Sequence, residues 1–139
     1  MNTEKITVQA TIAQTLANVW DCYTNPEHIT KWNFAADDWQ CPKASNDLRV
    51  GGKYYARMEA KDGSFGFDFE AIYDEVIDQQ QLTYTMGDGR QATTTFQTLG
   101  DKTDVTTTFD AENTNPVEMQ KAGWQAILDN FKRYAELSK

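Results

Sequence analysis

The chain holds one histidine and two cysteines, so chemistry that rests on an imidazole or a thiol would have to pass through His28, Cys22 or Cys41. His28 sits beside Glu27 in a short helical stretch, with no Ser, Cys or acid at nucleophile spacing, and reads as a surface helix residue. The two cysteines belong to no CxxC or Cys/His cluster with metal-ligand spacing, so no metal is expected. Asp37-Asp38 reads as part of a solvated loop. Asp68 and Glu70 lie two apart, which puts both on one strand face, opposite Phe65, Phe67 and Phe69 and hence toward solvent. Gly51-Gly52 is followed by no Lys-Ser/Thr pair opening a helix, so it is no phosphate loop and is expected to make a tight turn with positive φ. No catalytic residue and no cofactor emerges.

A different set of residues converges. In the alternating segments Tyr54, Met58, Phe67, Phe69, Tyr73, Tyr84, Met86, Phe96 and Phe109 fall on one side, and Trp124 faces them from the last helix. The hydroxyls of Tyr73, Tyr84, Thr94 and Thr107 share that side, while Trp32 and Leu128 sit on the apolar stripes of two helices. Small-molecule sites are mostly apolar with a few placed polar groups. A buried tyrosine hydroxyl needs a partner, from protein, water or ligand. Taken on residues alone, the pattern reads first as a packed aromatic core, with a binding cavity as the alternative.

The elements that carry these residues follow from periodicity. Lys5–Ile12 alternates cleanly and reads as a half-buried strand. Leu16, Val19, Trp20 and Tyr23 then fall at i, i+3, i+4 and i+7, one face of a helix near Thr15–Thr24. Asn25-Pro26-Glu27 restarts a brief helix bearing Ile29 and Trp32, with Asn as N-cap and Pro at the first helical position. From Phe34 to Arg49 the pattern is lost and a loop is expected. Lys53–Ala60 alternates again, Asp62-Gly63 signals a hairpin, and the return strand runs from Phe65 until its alternation breaks near Glu75-Val76-Ile77, as at a bulge or strand end. Leu82/Tyr84/Met86, Ala92/Thr94/Phe96 and Val105/Thr107/Phe109 supply three more strands, with turns at Gly87-Asp88-Gly89 and Gly100-Asp101. Asn115-Pro116-Val117-Glu118 predicts a capped helix running to about Leu137, roughly 33–35 Å long, with Gly123 serving packing or cavity space beside Trp124. Short links require antiparallel pairing, and one apolar sheet face requires a cover that only the last helix can supply. The expected fold class is α+β: a curved antiparallel sheet wrapped around a long C-terminal helix, with two short helices after the first strand.

Composition sharpens this. Leu, Ile, Val and Phe make up only about 18% of 139 residues and the net charge is −8, a combination that flags disorder. Seventeen aromatics and seventeen threonines oppose it, and point to a folded domain with an aromatic core. A pI near 4.5 argues against nucleic acid and anionic membrane surfaces. No apolar run reaches the roughly 20 residues of a membrane helix, and the N-terminus has neither the basic nor the apolar region of a secretory signal. No membrane insertion, and a cytoplasmic protein with reduced thiols, are therefore expected.

Several segments resemble one family. Val19-Trp20 followed by Asn25-Pro26-Glu27-His28-Ile29-Thr30-Lys31-Trp32, then Asp47-Leu48-Arg49-Val50-Gly51-Gly52-Lys53-Tyr54, then Gly123-Trp124, is similar in order and spacing to the heat shock protein 90 ATPase activator homologue family. That family belongs to the START-like (SRPBCC) superfamily of helix-grip folds. The resemblance implies a single domain over 1–139 with a mostly apolar cavity between sheet and C-terminal helix. It implies a small hydrophobic ligand, lipid-like or aromatic, held by Trp32, Tyr54, Met58, Phe67, Phe69, Tyr73, Tyr84, Met86, Thr94, Phe96, Thr107, Trp124 and Leu128. The alternatives are a superfamily-type enzyme (cyclase, dehydratase or hydrolase) and a co-chaperone-like module with a protein partner. The expected state is a monomer or weak homodimer.

Overall fold

The fold was analysed in a computed structural model that describes residues 4–112 and 115–137. Strand β1 (Lys5–Ile12) buries Ile6, Val8, Ala10 and Ile12 and exposes the residues between. Helix α1 (Leu16–Thr24) starts at Thr15, whose side chain accepts from the Asn18 amide. Helix α2 (Pro26–Trp32) follows at once, with Asn25 accepting from the Glu27 amide and Pro26 in the first turn. Strands β2 (Trp39–Asn46), β3 (Lys53–Ala60), β4 (Gly66–Ile77), β5 (Gln81–Met86), β6 (Gln91–Leu99) and β7 (Lys102–Asp110) precede helix α3 (Val117–Leu137).

All seven strands form one antiparallel sheet in the order β1-β7-β6-β5-β4-β3-β2. The chain's first two strands therefore lie at opposite edges, and α1 and α2 carry the chain from one edge to the other. The β4–β5 register shifts between Tyr73 and Glu75, so the broken alternation there is a bulge, and the strand continues beyond it to Ile77.

The long helix is fixed beside the free edge of β1 by side chains that replace a missing strand. Gln125 accepts from the Gln9 amide and donates to the Gln9 carbonyl. Lys132 donates to the Thr11 carbonyl at 2.7 Å, and Glu136 accepts from the Ala13 amide at 2.8 Å. Alternate backbone groups of an edge strand point outward, and α3 satisfies them in turn, which also blocks edge-to-edge pairing with another chain. At its other end, buried Gln120 accepts from the Glu112 amide and donates to the carbonyls of Glu112 and Asn115. Phe131, wholly buried, packs edge-on against Trp32 and Tyr23, tying α3 to both short helices.

Four expectations change. The segment expected as loop contains β2, an edge strand. Its burial does not alternate, its register to β3 slips between Gln40 and Lys43, and it contains Pro42, which only an edge or a bulge tolerates. His28 is no free surface residue: its ring is hydrogen-bonded to the Tyr134 hydroxyl at 2.6 Å and lies 3.3 Å from Asp21, joining all three helices. Of the glycine pair, only Gly51 has a positive φ (82°); Gly52 is needed because a Cβ there would lie 2.0 Å from the Asp47 carbonyl oxygen. Helix α3 starts one residue past Pro116, and the Asn115 side chain donates to Glu112.

Among the described residues no helix is long and apolar enough to cross a membrane. Cys22 and Cys41 are both buried and unbridged. Asp37 and Asp38 are exposed, and Asp68 and Glu70 lie on the outer face, engaged with Arg57 and Lys53 respectively.

Candidate functional site

Between the concave sheet face and α3 lies a cavity of about 300 Å³. The sheet contributes Val8, Tyr54, Met58, Phe67, Phe69, Tyr84 and Thr107; α1 and the end of α2 contribute Tyr23, Trp32 and Asn33; α3 contributes Trp124, Ile127 and Leu128. Arg90, from the β5–β6 turn, and Glu112, just past β7, complete the wall. Phe67 is 42% exposed while lining the cavity, so it stands at the mouth.

Most of the wall is held by ring packing. Trp124 stacks on Phe109 with centroids 3.9 Å apart, which fixes the α3 side. Tyr23 stacks on Trp32, and Tyr54 on Tyr84, with Phe69 edge-on to both members of the second pair. Such pairs contribute about 0.5–1.5 kcal/mol each beyond their buried area, so the wall is preorganised.

The polar groups divide by whether the protein satisfies them. Thr94 and Thr107 share a 2.8 Å hydrogen bond, and the Tyr23 hydroxyl lies at 3.4 Å from Thr94. The Tyr54 hydroxyl accepts from the Asn33 amide nitrogen at 3.2 Å. Tyr73 donates to Asn46 at 2.8 Å. Tyr84 is different: its hydroxyl has no hydrogen-bond partner among the described residues, although every fully sealed side-chain polar atom there has one. Since Tyr84 is not itself an exposed residue, its hydroxyl opens onto the cavity.

Burial raises the pKa of the Tyr23 and Tyr73 phenols and holds those of Tyr54 and Tyr84 well above the ordinary value, so all four stay protonated near neutral pH. They act as neutral hydroxyls, not as bases. Arg90 is anchored by Asp88 at 2.7 Å and by the Asp110 carbonyl at 3.2 Å; Glu112 accepts from Asn115 at 3.0 Å.

Of the residues expected to form a site, Trp32, Tyr54, Met58, Phe67, Phe69, Tyr84, Thr107, Trp124 and Leu128 meet at this cavity. Tyr73, Met86, Thr94 and Phe96 do not line it; they are buried behind it, with Phe96 edge-on to Trp20 and Tyr23. The sequence reading missed six wall residues. Val8, Tyr23 and Ile127 carried a signal, each lying on an apolar stripe already identified. Asn33, Arg90 and Glu112 carried none, because each lies outside the regular elements, where periodicity is silent.

A curled antiparallel sheet gripping a C-terminal helix over an internal cavity defines the START-like, helix-grip class. Residues 13–136 match the family model described as Activator of Hsp90 ATPase homolog 1-like protein. The chain belongs to that family. It is 42% identical to an AHSA1-like protein of Aeromonas hydrophila, whose solution structure superposes with a TM-score of 0.92 over 97% of this chain and 94% of that one. It is 46% identical to a protein of Cytophaga hutchinsonii, with a TM-score of 0.83 over 96% and 92%. A Nitrosomonas europaea protein, 22% identical with a TM-score of 0.82 over 97% and 96%, shares the fold. No curated protein matches the chain.

Proposed function

We propose that the protein binds a small, largely apolar molecule in the cavity between sheet and α3. The cavity itself carries the reading: about 300 Å³ of space, at the lower end of small-molecule sites, walled mostly by apolar and aromatic side chains. Empty apolar space costs stability through lost dispersion contacts, and close-packed interiors retain few such voids. Phe67, partly exposed while lining the cavity, marks the side from which a ligand would enter.

The test is a thermal-shift and native mass-spectrometry screen of small aromatic and short-chain compounds. The comparison protein is Ile127→Trp, which fills the cavity from α3. Compounds that stabilise the natural chain and lose their effect in the filled variant support binding here. A screen in which no compound stabilises the natural chain rules the reading out.

A further inference from the structure

We infer, resting on the binding reading above, that the ligand is a ring-sized molecule carrying a carbonyl-type hydrogen-bond acceptor that takes the Tyr84 hydroxyl as its donor. Size comes first. At roughly 20–30 Å³ per non-hydrogen atom, the upper figure being a water's share of the liquid, the cavity's 300 Å³ holds about ten to fifteen such atoms. A fused ring pair fits within that space.

The polar requirement comes from Tyr84. The other cavity hydroxyls each have a protein partner: Tyr54 accepts from Asn33, Thr107 is bonded to Thr94, and Tyr23 faces Thr94. Among the described residues Tyr84 alone presents an unpartnered hydroxyl to the space. In a ligand-free cavity water would take that bond. A ligand that displaces such a water without replacing its hydrogen bond loses affinity, so the fitting ligand brings an oxygen to this point. Its polarity follows from the neighbours. The phenol keeps its proton and has no acceptor for it among the described residues, so it is free to donate. A hydroxyl free to donate suits an acceptor oxygen on the ligand.

A matched pair of probes isolates this claim. 1-Indanone and indane have the same fused-ring shape and differ by one carbonyl oxygen. Binding is measured by chemical-shift titration of the natural chain, Tyr84→Phe and Tyr54→Phe, with palmitate as a size control. The natural chain is expected to prefer 1-indanone by about threefold to tenfold, the range of one net hydrogen bond. Tyr84→Phe keeps the ring and should erase the preference; Tyr54→Phe should retain it. Equal binding of the two probes to the natural chain overturns the inference while leaving cavity binding intact. So does loss of the preference in Tyr54→Phe rather than Tyr84→Phe, or palmitate seated in the cavity. Failure of both probes in a chain that binds other small compounds there also overturns it, whereas a chain that binds nothing removes the underlying reading.

Discussion

Replacing Gly52 by alanine adds one methyl group, and the surrounding geometry leaves it nowhere to go. An added Cβ would lie 2.0 Å from the Asp47 carbonyl oxygen and 3.0 Å from that of Arg49, against an ordinary contact of at least 3.4 Å. The Asp47 oxygen would have to retreat by more than 1 Å. It is not free to do so, because it accepts from the Arg49 amide at 2.8 Å, while the Asp47 amide donates to Lys53 at 3.0 Å. Gly52 itself donates to Arg49 and accepts from the Tyr73 amide, and Gly51 donates to the Tyr73 carbonyl. Relieving the overlap costs about 1–3 kcal/mol as overpacking, and breaking one or two of these bonds adds about 1 kcal/mol each. The expected loss is about 3 kcal/mol, roughly a 10 °C fall in Tm for a domain of this size. Urea unfolding at equilibrium measures it directly. Gly51→Ala is the internal comparison: it has open space but a φ of 82°, so it should lose only about 1–2 kcal/mol. A Gly52→Ala protein within about 0.5 kcal/mol of the natural chain would refute the packing argument.

Two further outcomes follow from the same geometry. Gly123 lies inside α3, where an added Cβ meets nothing within 4 Å, so Gly123→Ala should stabilise by about 0.5–1 kcal/mol through helix propensity, read as a higher urea midpoint. Stability should also fall in alkali. Burial lifts the Cys41 thiol to about 11 and raises the Tyr23, Tyr54, Tyr73 and Tyr84 phenols, so the folded chain keeps protons that the unfolded chain releases. The contribution is intact below roughly pH 8.5 and is lost as pH climbs from there toward the folded values. Urea midpoints between neutral pH and roughly pH 11 should therefore decline, and phenolate absorbance from the buried tyrosines should appear together with unfolding; phenolate rising while the fold stays intact would refute it.

Much of the molecule was legible as periodicity. Alternation in Lys5–Ile12 and Lys53–Ala60, the 3.6-residue stripe through Val19, Trp20 and Tyr23, and the Asn25-Pro26 start needed no tertiary information, because period and capping are local properties of the backbone. So was the grip: short links force antiparallel strands, and one apolar face needs one covering helix. Trp39–Asn46 was not legible. An edge strand with a bulge keeps one set of backbone groups unpaired by the sheet and has no obligation to alternate.

For the site, alternation assigned each side chain to a face but said nothing about where along the strand the cover ends. Phe65 and Phe67 share the inner side with Phe69, Ala71 and Tyr73, yet Phe65 is 60% exposed and Phe67 stands at the mouth, while Ala71 and Tyr73 are buried. The curl of the sheet and the finite length of α3 make that distinction. The same geometry brought Asn33, Arg90 and Glu112 to the wall from outside the regular elements, and left Tyr84 as the hydroxyl facing empty space while Tyr73, eleven residues earlier on the same side of the sheet, is engaged by Asn46. Local period was enough to say which residues could face inward. Which of them meet one another, and which line the cavity, depends on distances across the fold, and these set hydrogen-bond partners and cavity walls that no local period encodes.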